Sequence, residues 1–362
     1  MLKILKTSIK YLKDLTQLCA ISGKEDEVRN YLKNAYTKLG LEVKYDELGS
    51  IVALKKSDLK NAPKVLVISH MDEVGFVVKQ ILKNGFILVN TIGGLTLSRL
   101  PSSRLILKTR NNKTFYGTIS ALAPHLGTKD TLKSSDLYLD FGFTSDKEAI
   151  KKGVCPNDMI VEEGRFIKLS NNRFMAKAFD NRYGCALGLD LLDALKDEKL
   201  PFDLYVGATV QEEVGCRGAI TLSHMIRPDI CIVLDCSPAN DQSGSKNDNG
   251  RLGDGVLLRY LDRGTVANRP LLRLQQETLD ELKLPSQFFT SPGRTDASEV
   301  QMAHDGILVL SHCVVARNIH SPSSIIDGRD YESARLSLIA IMKKIDEDKI
   351  EDLRKETVYG RD

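Results

Sequence analysis

The stretch Leu204-Tyr205-Val206-Gly207-Ala208-Thr209-Val210-Gln211-Glu212-Glu213-Val214-Gly215 is an apolar run that closes on two adjacent carboxylates. A strand that ends in acids places charge at the rim of a sheet, where open α/β folds put their crevices, and the glycine that follows lets the chain turn sharply. There, one acid can bind a cation while its neighbour handles a proton. Taken alone, a Glu-Glu pair is a solvated turn, since charged side chains are mostly exposed. It gains weight only from partners of metal-binding type elsewhere.

Such partners sit at the ends of similar runs. Val65-Leu66-Val67-Ile68-Ser69 has the length of a buried strand and stops at His70-Met71-Asp72-Glu73-Val74-Gly75. Ile230-Cys231-Ile232-Val233-Leu234 stops at Asp235. Asp180-Asn181-Arg182 precedes a helical pattern from Tyr183 to Leu195, with Leu187, Leu191, Leu192 and Leu195 spaced for one face. Ile307-Leu308-Val309-Leu310 and Val314-Val315-Ala316 lead to Ile319-His320-Ser321-Pro322. His70, Asp180, Glu213, Asp235 and His320 are therefore expected on one edge.

Imidazoles and carboxylates suit Zn²⁺, Co²⁺ or Mn²⁺ and need no cysteine. Five ligands are one short of two separate three-ligand sites. If one carboxylate bridges, each ion gains three protein ligands and keeps an open position, with the ions roughly 3.5 to 4 Å apart. Asp72 lies two residues past His70 in an extended segment, so its side chain can return and fix the ring's tautomer. Glu212 is left without a metal to bind, free to take a proton from the attacking water and pass it to a leaving amine.

The chain divides by its periodicities. Ser22 with Glu25 fits a capping box before a helix with Val28, Tyr31, Leu32, Ala35 and Leu39 on one face, ended by Gly40. From about Val74 to Gly164 no long helical pattern occurs. Lys83-Asn84-Gly85 and Asn111-Asn112 mark hairpin turns there, so this block is a small all-β module. The simplest arrangement is a discontinuous α/β domain from residues 1–73 and 165–362, with a β domain of residues 74–164 inserted at the rim where the ligands gather.

With 362 residues, two domains are the default expectation. A net charge of +3, from 51 basic and 48 acidic residues, gives no reason to expect nucleic acid or an anionic membrane. Met1 to Leu18 lacks a signal peptide's continuous apolar core, and no stretch approaches a membrane span. Seven cysteines without Cys-x-x-Cys spacing fit the reducing cytoplasm, mostly as buried thiols. His125, His304 and His312 are isolated, and such histidines are usually hydrogen-bonded or exposed. Glu73 reads as a structural acid, because Asp72 already serves His70.

Several dispersed segments, in order over nearly the whole chain, resemble the glutamyl aminopeptidases and tetrahedral aminopeptidases, cytosolic dinuclear metallopeptidases. They are Ser69 to Phe76, Lys177 to Gly184, Val210 to Gly215, Asp235-Cys236-Ser237-Pro238 and Ile319-His320-Ser321. The resemblance implies a mixed-sheet zinc-peptidase catalytic domain with an inserted barrel-like dimerisation domain, and dimers assembled into a hollow tetrahedral dodecamer. It implies two metal ions per subunit, zinc or cobalt with manganese as an alternative. His70 and Asp235 would bind one ion, Glu213 and His320 the other, Asp180 would bridge, and Glu212 would be the general base. One departure stands out: where the family has Gly-Gly-Thr-Asp-Ala, this chain has Gly293-Arg294-Thr295-Asp296-Ala297. An arginine there is costly if the position needs a positive φ.

A metal pair polarises a carbonyl and supplies a nucleophile near neutral pH. An open metal position suits a free α-amine and so selects peptide N-termini over internal bonds. The expected activity is release of N-terminal residues from short peptides. Similarity to the branch preferring N-terminal Glu or Asp is greatest at Asp235 to Pro238 and Asp248 to Gly253, and a carboxylate side chain calls for a guanidinium partner, with Arg251, Arg259, Arg263 and Arg294 as candidates. Rival readings are an aminopeptidase of neutral or broad specificity, a deacylase or carboxypeptidase of the same architecture, and a binding module that has kept the fold.

Overall fold

A computed structural model describes residues 2–121, 132–245 and 249–360. The chain begins with α1 (Lys6–Thr16), α2 (Asp26–Lys38), β1 (Glu42–Tyr45), β2 (Ile51–Lys55) and β3 (Lys64–His70). It then enters β4 (Gly75–Ile81), β5 (Ile87–Ile92), β6 (Arg104–Lys108), β7 (Thr114–Ile119), β8 (Leu139–Asp140), α3 (Asp146–Lys152) and β9 (Met159–Glu162). It returns through β10 (Ile167–Lys168), β11 (Arg173–Ala176), α4 (Phe179–Leu195), β12 (Asp203–Thr209), α5 (Arg217–Ile226), β13 (Ile230–Pro238) and β14 (Val256–Leu261). The remaining elements are α6 (Arg269–Glu281), β15 (Ser286–Thr290), α7 (Ala297–Gln301), β16 (Leu308–Ala316), β17 (Ser324–Asp327), α8 (Gly328–Lys343) and α9 (Glu347–Tyr359).

The architecture is the expected mixed α/β fold with a separate barrel. An eight-stranded sheet has the order β1-β2-β12-β3-β13-β16-β14-β15, and β4, β5, β8, β7, β6 and β9 close into a barrel. The central strands β12, β3, β13 and β16 are mutually parallel, so their carboxyl ends share one edge. Both faces of these strands are covered, which explains why their sequences are continuous apolar runs. Alternate side chains serve different cores. Val65 and Val67 join Ile230, Ile232 and Leu234 in the core with α4 and α8, whereas Leu66 and Ile68 join Cys231 and Val233 in the core with α5 and α7. Among the described residues, no helix is long and apolar enough to cross a membrane.

Several local expectations change. Ser22 does not cap α2: its hydroxyl donates to Asp72 at 2.6 Å, and Glu25 accepts from the backbone N–H groups of Gly23 and Gln211. The ordinary capping geometry yields here to contacts with the sheet rim. Helix α4 has no single apolar face, because Gly184, Cys185, Ala186 and Gly188 are buried as well as its leucines. It lies against the sheet beneath other helices, and Gly184 permits this approach, since a Cβ there would sit 2.6 Å from Ser69 and 2.8 Å from the Leu234 carbonyl. The two runs before His320 form one continuous strand, β16, through Ser311-His312-Cys313. His312 is buried within it and bonds the Ala334 carbonyl at 3.0 Å and Gln275 at 3.1 Å. Burial holds that imidazole down at about 4, so it is neutral and structural.

Candidate metal centre

Strand register brings the first ligands together. Parallel pairing of β3 with β13 sets Val65 opposite Ile230 and Ile68 opposite Val233, and the same offset carries His70 opposite Asp235. Each lies two residues past a side chain on the α5-side face, so both point the same way, with His70 Nε2 3.8 Å from Asp235 Oδ1. Asp235 is thus inside β13, which continues to Pro238, and does not end it. On the other side of β3, Thr209 pairs with His70, so the Glu212–Glu213 turn follows directly beside the imidazole.

Asp180 arrives from the helix. Asn181 donates to the Leu234 carbonyl at 2.7 Å and accepts from Gly184 N–H at 3.0 Å, fastening the first turn of α4 to the end of β13. Behind it lies a buried ion cluster. Lys177 Nζ reaches both oxygens of Glu73 at 2.6 and 2.9 Å, and the fully buried Arg182 reaches Glu73 at 3.0 Å and the Met71 carbonyl at 2.9 Å. Glu73 thereby ties the segment bearing Asp180 to the segment bearing His70.

The Asp180 carboxylate stands between the two imidazoles. Its Oδ1 is 2.9 Å from His70 Nε2, and its Oδ2 is 3.1 Å from His320 Nε2. Glu213 Oε1 lies 3.3 Å from His320 Nε2, is buried and accepts no hydrogen bond among the described residues. Two donor groups result, His70–Asp180–Asp235 and Asp180–Glu213–His320, each with ligand atoms within 4.8 Å of one another, and Asp180 belongs to both. These groups can hold metal.

The opposite nitrogens of both rings are committed to carbonyls. His70 Nδ1–H donates to the Asp72 backbone oxygen at 3.0 Å, and His320 Nδ1–H donates to the Gly94 carbonyl at 2.7 Å. A carbonyl only accepts, so Nε2 of each ring is left facing Asp180, in a position that a proton or a cation can fill. The Asp72 carboxylate is farther from His70, 3.5 Å to Nδ1. Its oxygens are taken by the N–H groups of Glu212 at 3.0 Å and Glu213 at 3.1 Å, so Asp72 sets the acidic turn as well as the imidazole. Gly94 belongs to the loop after β5 of the barrel, and no sequence signal announced its carbonyl. Its neighbour Gly93 has φ +74°, and a Cβ there would lie 2.7 Å from Val74 and 3.1 Å from Glu213 Oε2. Arg99, also in the barrel segment, pairs with Glu162 and donates to the His320 carbonyl.

The charge balance of the cluster calls for cations. Burial raises Glu212, raises Asp235, and lifts Glu213 to about 8, with the Asp180 charge adding to the last two. Burial opposes charging of His70 and His320, yet the surrounding carboxylates outweigh it, raising His70 and lifting His320 to about 9. Without positive charge the cluster must retain protons; divalent ions would take the place of those protons. Nitrogen and oxygen donors without thiolate suit borderline and hard divalent ions. Glu212 is a member of neither group around Asp180, and its Oε2 is 3.9 Å from His70 Nε2.

The centre opens into a cleft of about 700 Å³ whose walls include Arg263 and Arg294. Arg294 has no left-handed backbone, so the departure from glycine carries no φ penalty; its side chain passes 3.5 Å from the Cβ position of Gly215 and lies 3.3 Å from Glu299. Arg251 and Arg259 are engaged elsewhere. Arg251 bonds the Ser245 carbonyl, and Arg259 is buried against Asp262 and Ser237. Arg263 makes no side-chain hydrogen bond or ion pair among the described residues; only its backbone N–H is bonded, to Gly293. His304 bonds the Ser223 carbonyl at 3.3 Å, away from the centre, and His125 lies outside the described residues.

Comparison with known proteins finds relatives over nearly the whole chain. The profile of the M42 glutamyl aminopeptidase family matches residues 49–336. The glutamyl aminopeptidase of Lactococcus lactis is 38% identical over 349 residues, 95% of this chain and 98% of the relative. The crystal structure of a TET aminopeptidase from the marine sediment archaeon Thaumarchaeota archaeon SCGC AB-539-E09 superposes with a TM-score of 0.91 at 32% identity, over 96% of this chain and all of that one. The TET1 peptidase of Pyrococcus horikoshii, which can assemble into a tetrahedron or a large octahedral shell, gives a TM-score of 0.84 at 26% identity over 92% of this chain and 99% of its own.

Proposed function

This chain belongs to the M42 glutamyl aminopeptidase family of peptide-hydrolysing enzymes, and from that premise we propose that it is a dinuclear metal-dependent aminopeptidase that releases N-terminal Glu or Asp from short peptides. The observation that carries the reading is the pair of donor groups sharing Asp180. His70 and Asp235 would hold one ion, Glu213 and His320 the other, with Asp180 common to both. Zinc and cobalt suit these donors, and manganese is the alternative. Two such ions supply Lewis acidity toward the scissile carbonyl and a nucleophile at neutral pH.

The chain's own residues do the rest. Glu212, raised by burial and bordering the cleft, takes the proton of the attacking water at its carboxylate and returns it to the leaving amine. Asp72 keeps that glutamate in place by accepting from its N–H. Arg263, with no ion-pair partner among the described residues, is the side chain we assign to the side-chain carboxylate of the substrate's N-terminal residue, with Arg294 also in the cleft wall. The reading extends to the assembly. Residues 1–73 and 165–362 form the catalytic domain, and residues 74–164 build a dimer that propagates to a tetrahedral dodecamer in the cytoplasm. Light scattering after size exclusion should report a large homo-oligomer; a monomer at micromolar concentration sinks this part.

The activity is tested with the metal-replete enzyme on Glu-, Leu- and Lys-p-nitroanilides and on N-acetyl amino acids. Glu-p-nitroanilide should be cleaved fastest, and activity confined to the acetylated compounds would replace the aminopeptidase by a deacylase. Arg263→Ala should lower kcat/KM for Glu-p-nitroanilide by roughly 10- to 100-fold, the loss of one charged hydrogen bond, while leaving Leu-p-nitroanilide nearly unchanged. Equal losses on both substrates would remove Arg263 from the specificity role.

A further inference from the structure

A third cluster adjoins the centre without belonging to it. Glu212, Cys216 and Asp296 present oxygen, sulfur and oxygen within 4.8 Å of one another. The chain bends to make it. Gln211 and Cys216 both adopt left-handed backbone, and Cys216 N–H donates to the Glu212 carbonyl at 2.9 Å, which folds the thiol back over the glutamate with Sγ 3.4 Å from Oε1. Asp296 approaches from the amino end of α7 and is 1% exposed. Its Oδ2 accepts from the Thr209 hydroxyl at 2.5 Å, whereas Oδ1 is buried and has no ordinary hydrogen-bond partner among the described residues. A buried carboxylate oxygen without an ordinary hydrogen-bond partner among the described residues, beside a second carboxylate and a thiol whose S–H donates to that carboxylate, is a set that a cation can take over once the thiol gives up its proton.

We propose that Cys216, Glu212 and Asp296 form a separate site for a thiophilic divalent ion, of the Zn²⁺ or Cd²⁺ class, whose occupation ties up the Glu212 carboxylate and arrests turnover. The arrest rests on the proton-transfer role given to Glu212 above; the site itself does not. The softness of sulfur separates this cluster from the two groups around Asp180, which contain no thiol, and it disfavours Mg²⁺ and Mn²⁺. Binding breaks the Cys216 S–H bond, forms a sulfur–metal bond and releases one proton to solvent. The ion would enter by the cleft, which Glu212 and Gly215 line.

The test titrates Cd²⁺ into the metal-replete enzyme and into its Cys216→Ala and Cys216→Ser variants, with two readouts. The first is the near-ultraviolet thiolate-to-cadmium absorption, taken as wild type minus variant so that the half-buried Cys155 cancels. The second is turnover relative to each protein's own rate before Cd²⁺. The expected result is a difference band that saturates at one ion per chain. The Cd²⁺ concentration that halves turnover should rise in both variants by roughly tenfold or more, by analogy with the loss of a metal-site partner. Mn²⁺ over the same range should not inhibit. No difference band, or equal inhibition of all three proteins, overturns the site. A Cys216-dependent band without loss of turnover keeps the site, overturns the arrest and transfers the fault to the role of Glu212.

Discussion

Glu212→Gln is expected to lower turnover by roughly 10² to 10⁴ while the protein keeps its full metal content. The substitution preserves size and removes the basic oxygen. Glu212 belongs to neither Asp180 group, and its N–H bond to Asp72 is a backbone contact that the amide leaves intact. Burial raises this carboxyl, placing its affinity for a proton nearer to that of the groups it must serve. The check is kcat on Glu-p-nitroanilide beside metal per chain by elemental analysis. Full activity in the variant would refute the assigned role, and lost metal with lost activity would recast Glu212 as a ligand.

Asp180→Ala is expected to act on both groups at once. The two carboxylate oxygens face different imidazoles, at 2.9 Å from His70 and 3.1 Å from His320, so one substitution leaves each group with a single histidine and a single acid. Affinity at each should fall by more than roughly 100-fold, beyond what loss of an outer partner causes, and activity should fall below detection. His320→Ala is the control, because it strips only the Asp180–Glu213–His320 group. After dialysis, Asp180→Ala should retain clearly less metal than His320→Ala; equal retention would show that Asp180 is not shared.

The ends of the parallel strands were legible because a buried central strand must be apolar throughout, and the first polar residue past it marks the rim. That logic found His70 and the Glu212–Glu213 turn. It misplaced the end of β13, since Asp235 lies within the strand, where a neighbouring imidazole and the centre itself accommodate a buried carboxylate. Apolar spacing found α4 but gave it one buried face, because glycine and alanine among its leucines do not distinguish a helix covered on all sides from an amphipathic one. The Ser22–Glu25 capping box is a local pattern overridden by tertiary partners, Asp72 and the Gln211 N–H. Arg251, Arg259, Arg263 and Arg294 could not be ranked from sequence, since what separates them is the partner each side chain finds: Asp262 for Arg259, Ser245 for Arg251, and none among the described residues for Arg263. The backbone carbonyl of Gly94 carries no side-chain signature at all.

That carbonyl has a consequence for any attempt to pare the protein down. Splicing the chain straight across from β3 to β10 would delete the corner at Gly93-Gly94 and the Arg99 clasp, and the last imidazole would lose both the acceptor that orients its ring and the grip on its main chain. A graft of another relative's barrel would meet the same demand unless its corner came within reach of Glu213. The excursion of the polypeptide through six further strands therefore supplies part of the wall of that cleft, and the seam for transplantation runs inside that wall, not at the neck where the chain departs.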